Sequence, residues 1–280
     1  MPALTHLDVV TALDYNVARE IITSFIRNYV SEAGARGAVV GLSGGVDSTV
    51  TAALAVEALG RDRVLAVFAP HGAVPSEDER DAVAVARQLG VSLRRVDLAP
   101  ALESLAACIP DFSREDRVAA GNLAVRVRMA VLYYYANKYG MLILGTSDRS
   151  ELLLGYFTKY GDGAADVMPI AGLYKVQVKE MARRLGFERI ASKPSSPRLW
   201  PGHSAEAELG APYEIIDPIL FTLYDVGVPP EIVRREYGPI ADLVLARARA
   251  NAHKLRPPPH PDLTPARRPI TPARSTSVQL

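Results

Sequence analysis

At 280 residues, 49% hydrophobic and 22% charged, the chain has the make-up of a folded globular protein with material for one large domain or two small ones. A net charge of +1 gives no reason to expect a nucleic-acid or membrane partner, and a single cysteine, Cys108 in LAACIP, excludes a disulfide framework and reads as a small buried filler. The opening MPALTHLDVV lacks the basic start and apolar core of a secretory signal, and no apolar run approaches the roughly 20 residues that span a bilayer, so the expectation is a cytoplasmic protein.

Tyr15 to Glu32 carries Ile21, Ile22, Phe25, Ile26 and Tyr29 at helical spacing, which predicts a helix burying that face. A short β-rich run, 38–42, leads into the loop GLSGGVDS (41–48), and from Ser48 a helix is expected as far as the stop at Gly60. RVLAVFAP (63–70) is a continuous apolar run, as in a strand covered on both faces. Ser76 with Glu79 suggests a capping box opening a helix to about Leu89, with Gly90 as its end. SLRRVDL (92–98) reads as a further strand, Asn122 to Lys138 as a long helix ended by Gly140, and MLILGT (141–146) as another buried strand. Such alternation predicts an α/β fold: a doubly wound, mostly parallel sheet flanked by helices, with ligands at the carboxyl ends of the strands, where GLSGGVDS falls.

Beyond Gly172 the pattern turns helical, with KVQVKEMARRLG (175–186), a loop from Ser192 to Gly210 and three short helical segments to about His253. Residues 1–256 are expected to form one domain. The remainder, 257–280, has seven prolines between Pro257 and Pro272, with Arg267, Arg268 and Arg274 nearby, and reads as an extended or disordered tail.

In the loop, Gly41, Gly44 and Gly45 can take backbone angles closed to other residues and let main-chain N–H groups approach an anion, with Ser43 and Ser48 adding hydroxyls. A strand-to-helix turn with a serine cap would look the same. Asp47 changes the balance: its charge suits the first turn of a helix, but beside a polyphosphate it needs a divalent cation between the two anions, and Mg²⁺ favours such oxygen ligands.

SGGVDS resembles the pyrophosphate loop of the ATP pyrophosphatases, which cleave ATP between the α and β phosphates and activate a carbonyl or carboxylate with AMP. The loop alone does not choose among NAD, GMP, asparagine and argininosuccinate synthetases and tRNA-modifying enzymes. GNLAVRVRM, GTSDRSE, GYFTKYGDGAAD and LYK, between 121 and 175, follow in the order and spacing of the NAD synthetases, and the resemblance runs from about Asn16 to Pro259. It implies an adenine nucleotide alpha hydrolase-like, Rossmann-like fold with a helical C-terminal part. ATP is the implied co-substrate, bound by Gly41, Leu42, Ser43, Gly44, Gly45, Val46, Asp47, Ser48, Thr146, Lys175 and Ser196. Mg²⁺ is implied at Asp47 and Glu151, and deamido-NAD at Arg126, Lys159, Asp166 and the His253-Lys254 pair.

The residues themselves leave plainer readings open. Asn122 and Arg126 share a helix face, while Arg128 is expected to point elsewhere; an arginine there is either a buried ion pair or a ligand contact. Glu151 could merely start a helix, FTKYGDGAAD could be a solvated turn, and a lone histidine is most often structural. Lys175 opens a helix, where a cation opposes the helix dipole unless an anion lies there. Two departures from the family stand out: HSAEAELG (203–210) keeps only Glu206 and Glu208 of a more acidic string in a loop that commonly closes the site, and Pro197 and Arg198 replace smaller residues.

The resemblance implies attack of the nicotinate carboxylate of deamido-NAD on the α-phosphorus of ATP, loss of pyrophosphate, and attack of ammonia on the acyl-adenylate, with Asp47, Glu151 and Lys175 as the catalytic group. Glutamine-dependent relatives carry an added amidase domain; the synthetase segment here begins within the first 20 residues, so free ammonia is the expected donor. A homodimer is implied by the family, whose substrate site lies at a subunit interface. Two other readings are another ATP pyrophosphatase, such as a tRNA-modifying enzyme needing a basic RNA surface, and an ATP sensor without turnover, which would suit a chain lacking one of the two metal carboxylates.

Overall fold

The structure is a computed structural model that describes residues 3–71, 76–200 and 202–267. After a short helix α1 (His6–Thr11), α2 spans Tyr15–Glu32, its first N–H groups received by the Asp14 carboxylate. There follow β1 (Ala38–Gly41), α3 (Val46–Leu59), β2 (Val64–Phe68), α4 (Ser76–Leu89), β3 (Ser92–Arg95), α5 (Ala99–Cys108), α6 (Arg117–Tyr139) and β4 (Leu142–Leu144). The strands pair in parallel in the order β3-β2-β1-β4, with Val39 opposite both Leu65 and Ile143.

The apolar strands follow from burial on both sides. Val40, Ala66 and Leu144 pack toward α2, α3 and α4, whereas Val39, Leu65, Val67 and Ile143 pack under Met129, Leu132 and Ala136 of α6. The chain winds from β1 outward to β3, then crosses on the α6 face to place β4 on the other side of β1. The direction of winding therefore reverses between β1 and β4, and their outgoing loops diverge there to leave a crevice. Helices α7 (Arg149–Leu154), α8 (Lys175–Arg184), α9 (Glu188–Ala191), α10 (Ala205–Leu209), α11 (Tyr213–Tyr224), α12 (Pro230–Tyr237) and α13 (Pro239–Asn251) complete the described chain. Around Tyr213, Ile216 and Leu220 of α11, α7 and α10–α13 form a second core that walls the crevice.

Several expectations need correction. The buried stripe of α2 is Tyr15, Ala18, Ile22, Ile26 and Val30, and Ile21, Phe25 and Tyr29 are exposed. Both stripes have four-residue spacing, and only packing on α3 selects between them. Cys108 is exposed, because α5 lies on the outside with none of its residues buried. The long helix starts at Arg117, where Asp116 accepts from Ala119 N at 3.0 Å. The side chain of Ser76 lies outside what is described, and Glu79 accepts from Arg95 Nε at 2.7 Å. Of the expected tail, residues 268–280 lie outside the described residues, and 257–267 are exposed with one 3-10 turn, Thr264–Ala266.

Candidate active site

β1 delivers the glycine loop into the crevice. Gly44 has φ +80°, and a Cβ there would stand 2.4 Å from the carbonyl oxygen of Asp78 on α4, so glycine is required by conformation and by space. Gly45 sits in ordinary extended backbone as the N-cap of α3, so only Gly44 of the three glycines uses the positive-φ freedom expected of them. The serine hydroxyls brace the loop: Ser43 and Ser48 Oγ are 3.0 Å apart, Ser48 Oγ accepts from Ser43 N, and it donates to Gly45 O. Asp47 lies in the first turn of α3 with its side chain 24% exposed.

β4 delivers the opposing wall. Asp148 caps α7, accepting from Glu151 N at 2.8 Å, and α7 turns Glu151 toward the loop. Here α8 begins. Lys175 N donates to Ser150 Oγ and Val176 N to Asp217 Oδ2, each at 2.9 Å, and Ser150 Oγ donates to Asp217 Oδ1 at 2.6 Å. Two amides at the N-terminus of α8 thus find buried acceptors. Burial pushes the Asp217 carboxyl up to about 8, opposed by its bond from Ser150.

From this anchored turn Lys175, 1% exposed, sends its ammonium into the acidic centre: Nζ donates to Asp47 Oδ1 at 2.7 Å and Glu151 Oε1 at 2.9 Å, and lies 3.0 Å from Asp148 Oδ2. The ring of buried Tyr213 lies beneath it, 5.3 Å to its centre. Burial raises Glu151 well above an ordinary carboxylate and Asp148 to about 6, against the pull of Lys175. For Lys175 burial acts downward, and the three carboxylates overcome it to hold the ammonium well above its usual value. Asp47, Asp148 and Glu151 can present oxygens within 4.8 Å of one another, an all-oxygen donor set that fits a hard divalent cation such as Mg²⁺. The sequence reading had two of these acids. Asp148 is missed by it, because the one local pattern it carries is the D-x-x-E spacing of a helix cap.

The cluster opens into a cavity of about 370 Å³, within the range for small-molecule sites. Of the residues expected to bind, Gly41, Leu42, Ser43, Gly45, Val46, Asp47, Thr146, Glu151, Lys175, Ser196 and Lys254 line it. Ser48 is buried in the loop, and Gly44 is turned against α4. Ser196 donates to His203 O, and Lys254 to Gly155 O at 2.8 Å and Phe157 O at 3.1 Å.

The others lie outside the lining. Arg126 Nε donates to Lys159 O at 3.2 Å and Lys159 Nζ to His253 O at 3.4 Å, which brings these three together on the surface. Asp166 accepts from Tyr133 Oη and from Ile143 N, tying the edge of β4. It is Arg128, expected to point away, that reaches the cavity: Nε donates to Ala69 O at 3.1 Å, and Nη2 lies 2.6 Å from His71 Nδ1. Arg128 follows Val125 and precedes Leu132 on the α6 face turned to the cavity, whereas Arg126 is on the outer face.

Two further networks were not legible in the sequence, which marks only Arg198 and the 203–210 stretch, as departures from the family. Lys193 Nζ bridges Asp78 and Asp81 of α4 at 2.8 and 2.6 Å, and Arg198, held at φ +53°, adds a contact to Asp78 at 2.9 Å. In the altered 203–210 stretch, Glu208 accepts from Tyr156 Oη at 2.8 Å and pairs with His203 Nε2 at 2.8 Å and Arg247 at 3.3 Å, while His203 stacks on Trp200.

Comparison with known proteins gives one consistent result. The profile of the NAD synthase family matches residues 18–258. The chain is 61% identical over 261 residues, 93% of its length and 98% of the relative's, to an NH3-dependent NAD⁺ synthetase of Pyrobaculum aerophilum. Among solved structures it resembles NMN synthetase from Francisella tularensis, with a TM-score of 0.79, 30% identity and coverage of 89% of this chain and 99% of that one. It also resembles an NH3-dependent NAD synthetase from Campylobacter jejuni, with a TM-score of 0.76, 28% identity and coverage of 89% and 100%.

Proposed function

The chain belongs to the NAD synthase family, and from that membership and the geometry of its cleft we infer that it is a ligase amidating deamido-NAD with ammonia, coupled to cleavage of ATP to AMP and pyrophosphate. The observation that carries this reading is the meeting of Asp47, Glu151 and Lys175 beside the glycine loop, at the crevice between β1 and β4.

The nicotinate carboxylate attacks the α-phosphorus of ATP, pyrophosphate leaves, and ammonia then attacks the acyl carbon as AMP departs, forming the carboxamide. A free carboxylate is a poor acceptor for ammonia, and adenylation gives it a leaving group. The N-terminus of α3, rather than the Ser43 and Gly45 amides that already donate to Ser48 Oγ and Ser43 Oγ, receives the pyrophosphate oxygens, and Lys175 supplies a positive charge against them. Thr146 and Ser196, at the cavity wall, are assigned to ATP. Asp47 and Glu151 would hold Mg²⁺, which would supply neutralisation of phosphate charge when bound. Positioning supplies much of the remaining acceleration, so no covalent enzyme intermediate is needed.

Arg126, Lys159, Asp166, His253 and Lys254 are assigned to the dinucleotide. The outward position of Arg126, Lys159 and His253 supports a homodimer in which the substrate lies between two copies. Residues 1–256 are taken as one catalytic domain, working in the cytoplasm without nucleic acid or membrane. Among the described residues no helix is long and apolar enough to cross a membrane.

The similarity to an NMN synthetase favours one second reading, a mononucleotide substrate at the same site. One assay separates the two: carboxamide formation from deamido-NAD or from nicotinate mononucleotide, with Mg-ATP and ammonium. Efficient turnover with deamido-NAD supports the first reading. Turnover confined to the mononucleotide establishes the second, and pyrophosphate release with neither overturns both.

A further inference from the structure

The acidic centre holds one cation in a space suited to another. Lys175 Nζ lies within 3.0 Å of oxygens of Asp47, Asp148 and Glu151. A Mg²⁺ bonded to these oxygens at about 2.0–2.1 Å would stand beside the ammonium in the same concavity, where two cations repel. Yet one ammonium leaves three carboxylates undercompensated. Asp148 Oδ2 shows the deficit most directly, since it is sealed from solvent and depends on an ammonium, 3.0 Å away, that it shares with Asp47 and Glu151.

We propose that Lys175 and a divalent cation occupy this three-carboxylate site by exchange, with Asp148 a third acid of the cation site. In the free protein the ammonium holds the acids together, and it gives way to the cation as it moves to the polyphosphate. The main chain at the start of α8 is pinned by Ser150 and Asp217, so the movement is confined to the lysine side chain. Its destination is the adjoining anion site, because Asp47 joins the acidic centre to the first turn of α3. Cation and polyphosphate are then taken up together, each strengthening the other by the same factor. The inference rests on the reading of this cleft as an ATP-using site, but not on the identity of the substrate amidated.

Mn²⁺ as a probe of the cation site, followed by the loss of its free-ion resonance on the full chain without nucleotide, tests the exchange. Lys175→Met should bind Mn²⁺ roughly tenfold or more tightly than the unmodified chain, and adding Asp148→Asn should remove the gain. Equal or weaker binding by Lys175→Met overturns the proposal, as does a gain indifferent to Asp148. A circular-dichroism melt shows whether the variants fold. If they do not, the unmodified chain decides: Mg²⁺ alone and inorganic pyrophosphate alone should raise its Tm less, summed, than the two together. Stabilisation by Mg²⁺ alone equal to that by the pair overturns the exchange. Neither measurement needs turnover, so a failure to amidate deamido-NAD would count against the substrate assignment and leave the exchange standing.

Discussion

Gly44 turns its α-carbon against the carbonyl of Asp78, so closely that the loop and the first turn of α4 form one rigid edge of the cleft. Gly44→Ala would strain a left-handed position by about 1–2 kcal/mol and force the loop away from α4. Displacement of about 1 Å at a reacting centre costs on the order of 100-fold in turnover. Gly45→Ala, in extended backbone with 3.3 Å to the flexible Ser43 Oγ, should be milder by at least tenfold. Pyrophosphate release by the two variants measures this, and equal losses would show that the backbone at 44 is not the constraint.

Asp47→Asn and Glu151→Gln should each lower kcat/KM by about 10²–10³-fold, the scale for removing one charge-stabilising group from a preorganised site. Each should also raise the Mg²⁺ concentration at half-maximal rate. Retention of activity within about threefold for either variant would remove that acid from the metal assignment.

The parts legible in the sequence were those with a local cause. Continuous apolar runs exposed the buried strands, and the order of glycines, serines and Asp47 after β1 exposed the loop. Lys175 stood out because a cation at the start of a helix is unfavourable without an anion. Its partner Asp47, 128 positions away, is fixed only by the return of the chain to β4 beside β1. Asp148 was hidden by an adequate local role, since a D-x-x-E cap accounts for it without reference to burial. Arg126 and Arg128 are two positions apart on a helix with apolar residues on both sides, and only the packing of α6 on the sheet decides which enters the cavity. The two stripes of α2 failed for the same reason.

Lys193 compensates two buried acids, Asp78 and Asp81, behind the glycine loop, and reaches Gly44 O at 3.4 Å. Lys193→Met leaves those acids to Arg189 and Arg198, both more exposed. The expected loss is about 3 kcal/mol of unfolding free energy, the lower end for breaking a buried pair. Adding Asp78→Asn should restore part of it. Urea denaturation of the single and double variants tests this coupling, and a loss below about 1 kcal/mol would place the network among the weak surface pairs.

His71 gives stability a pH dependence with a definite sign. Burial first, and the Arg128 guanidinium second, hold its folded pKa down at about 4, against an unperturbed value near 6.5. In the folded protein the ring is therefore neutral at pH 5, whereas in the unfolded chain it is mostly protonated. The stabilisation is fully present above about pH 6.5 and falls with acidification toward pH 4, since the unfolded state binds a proton that the folded state refuses. His71→Gln keeps a hydrogen-bonding group beside Arg128 and removes the titration. Unfolding free energies at pH 7, 6, 5 and 4.5 should fall more steeply for the unmodified chain than for the variant, with the difference confined to this window. Parallel curves would mean that His71 takes up its proton in the folded state as readily as in the unfolded one, and that Arg128 does not control its charge.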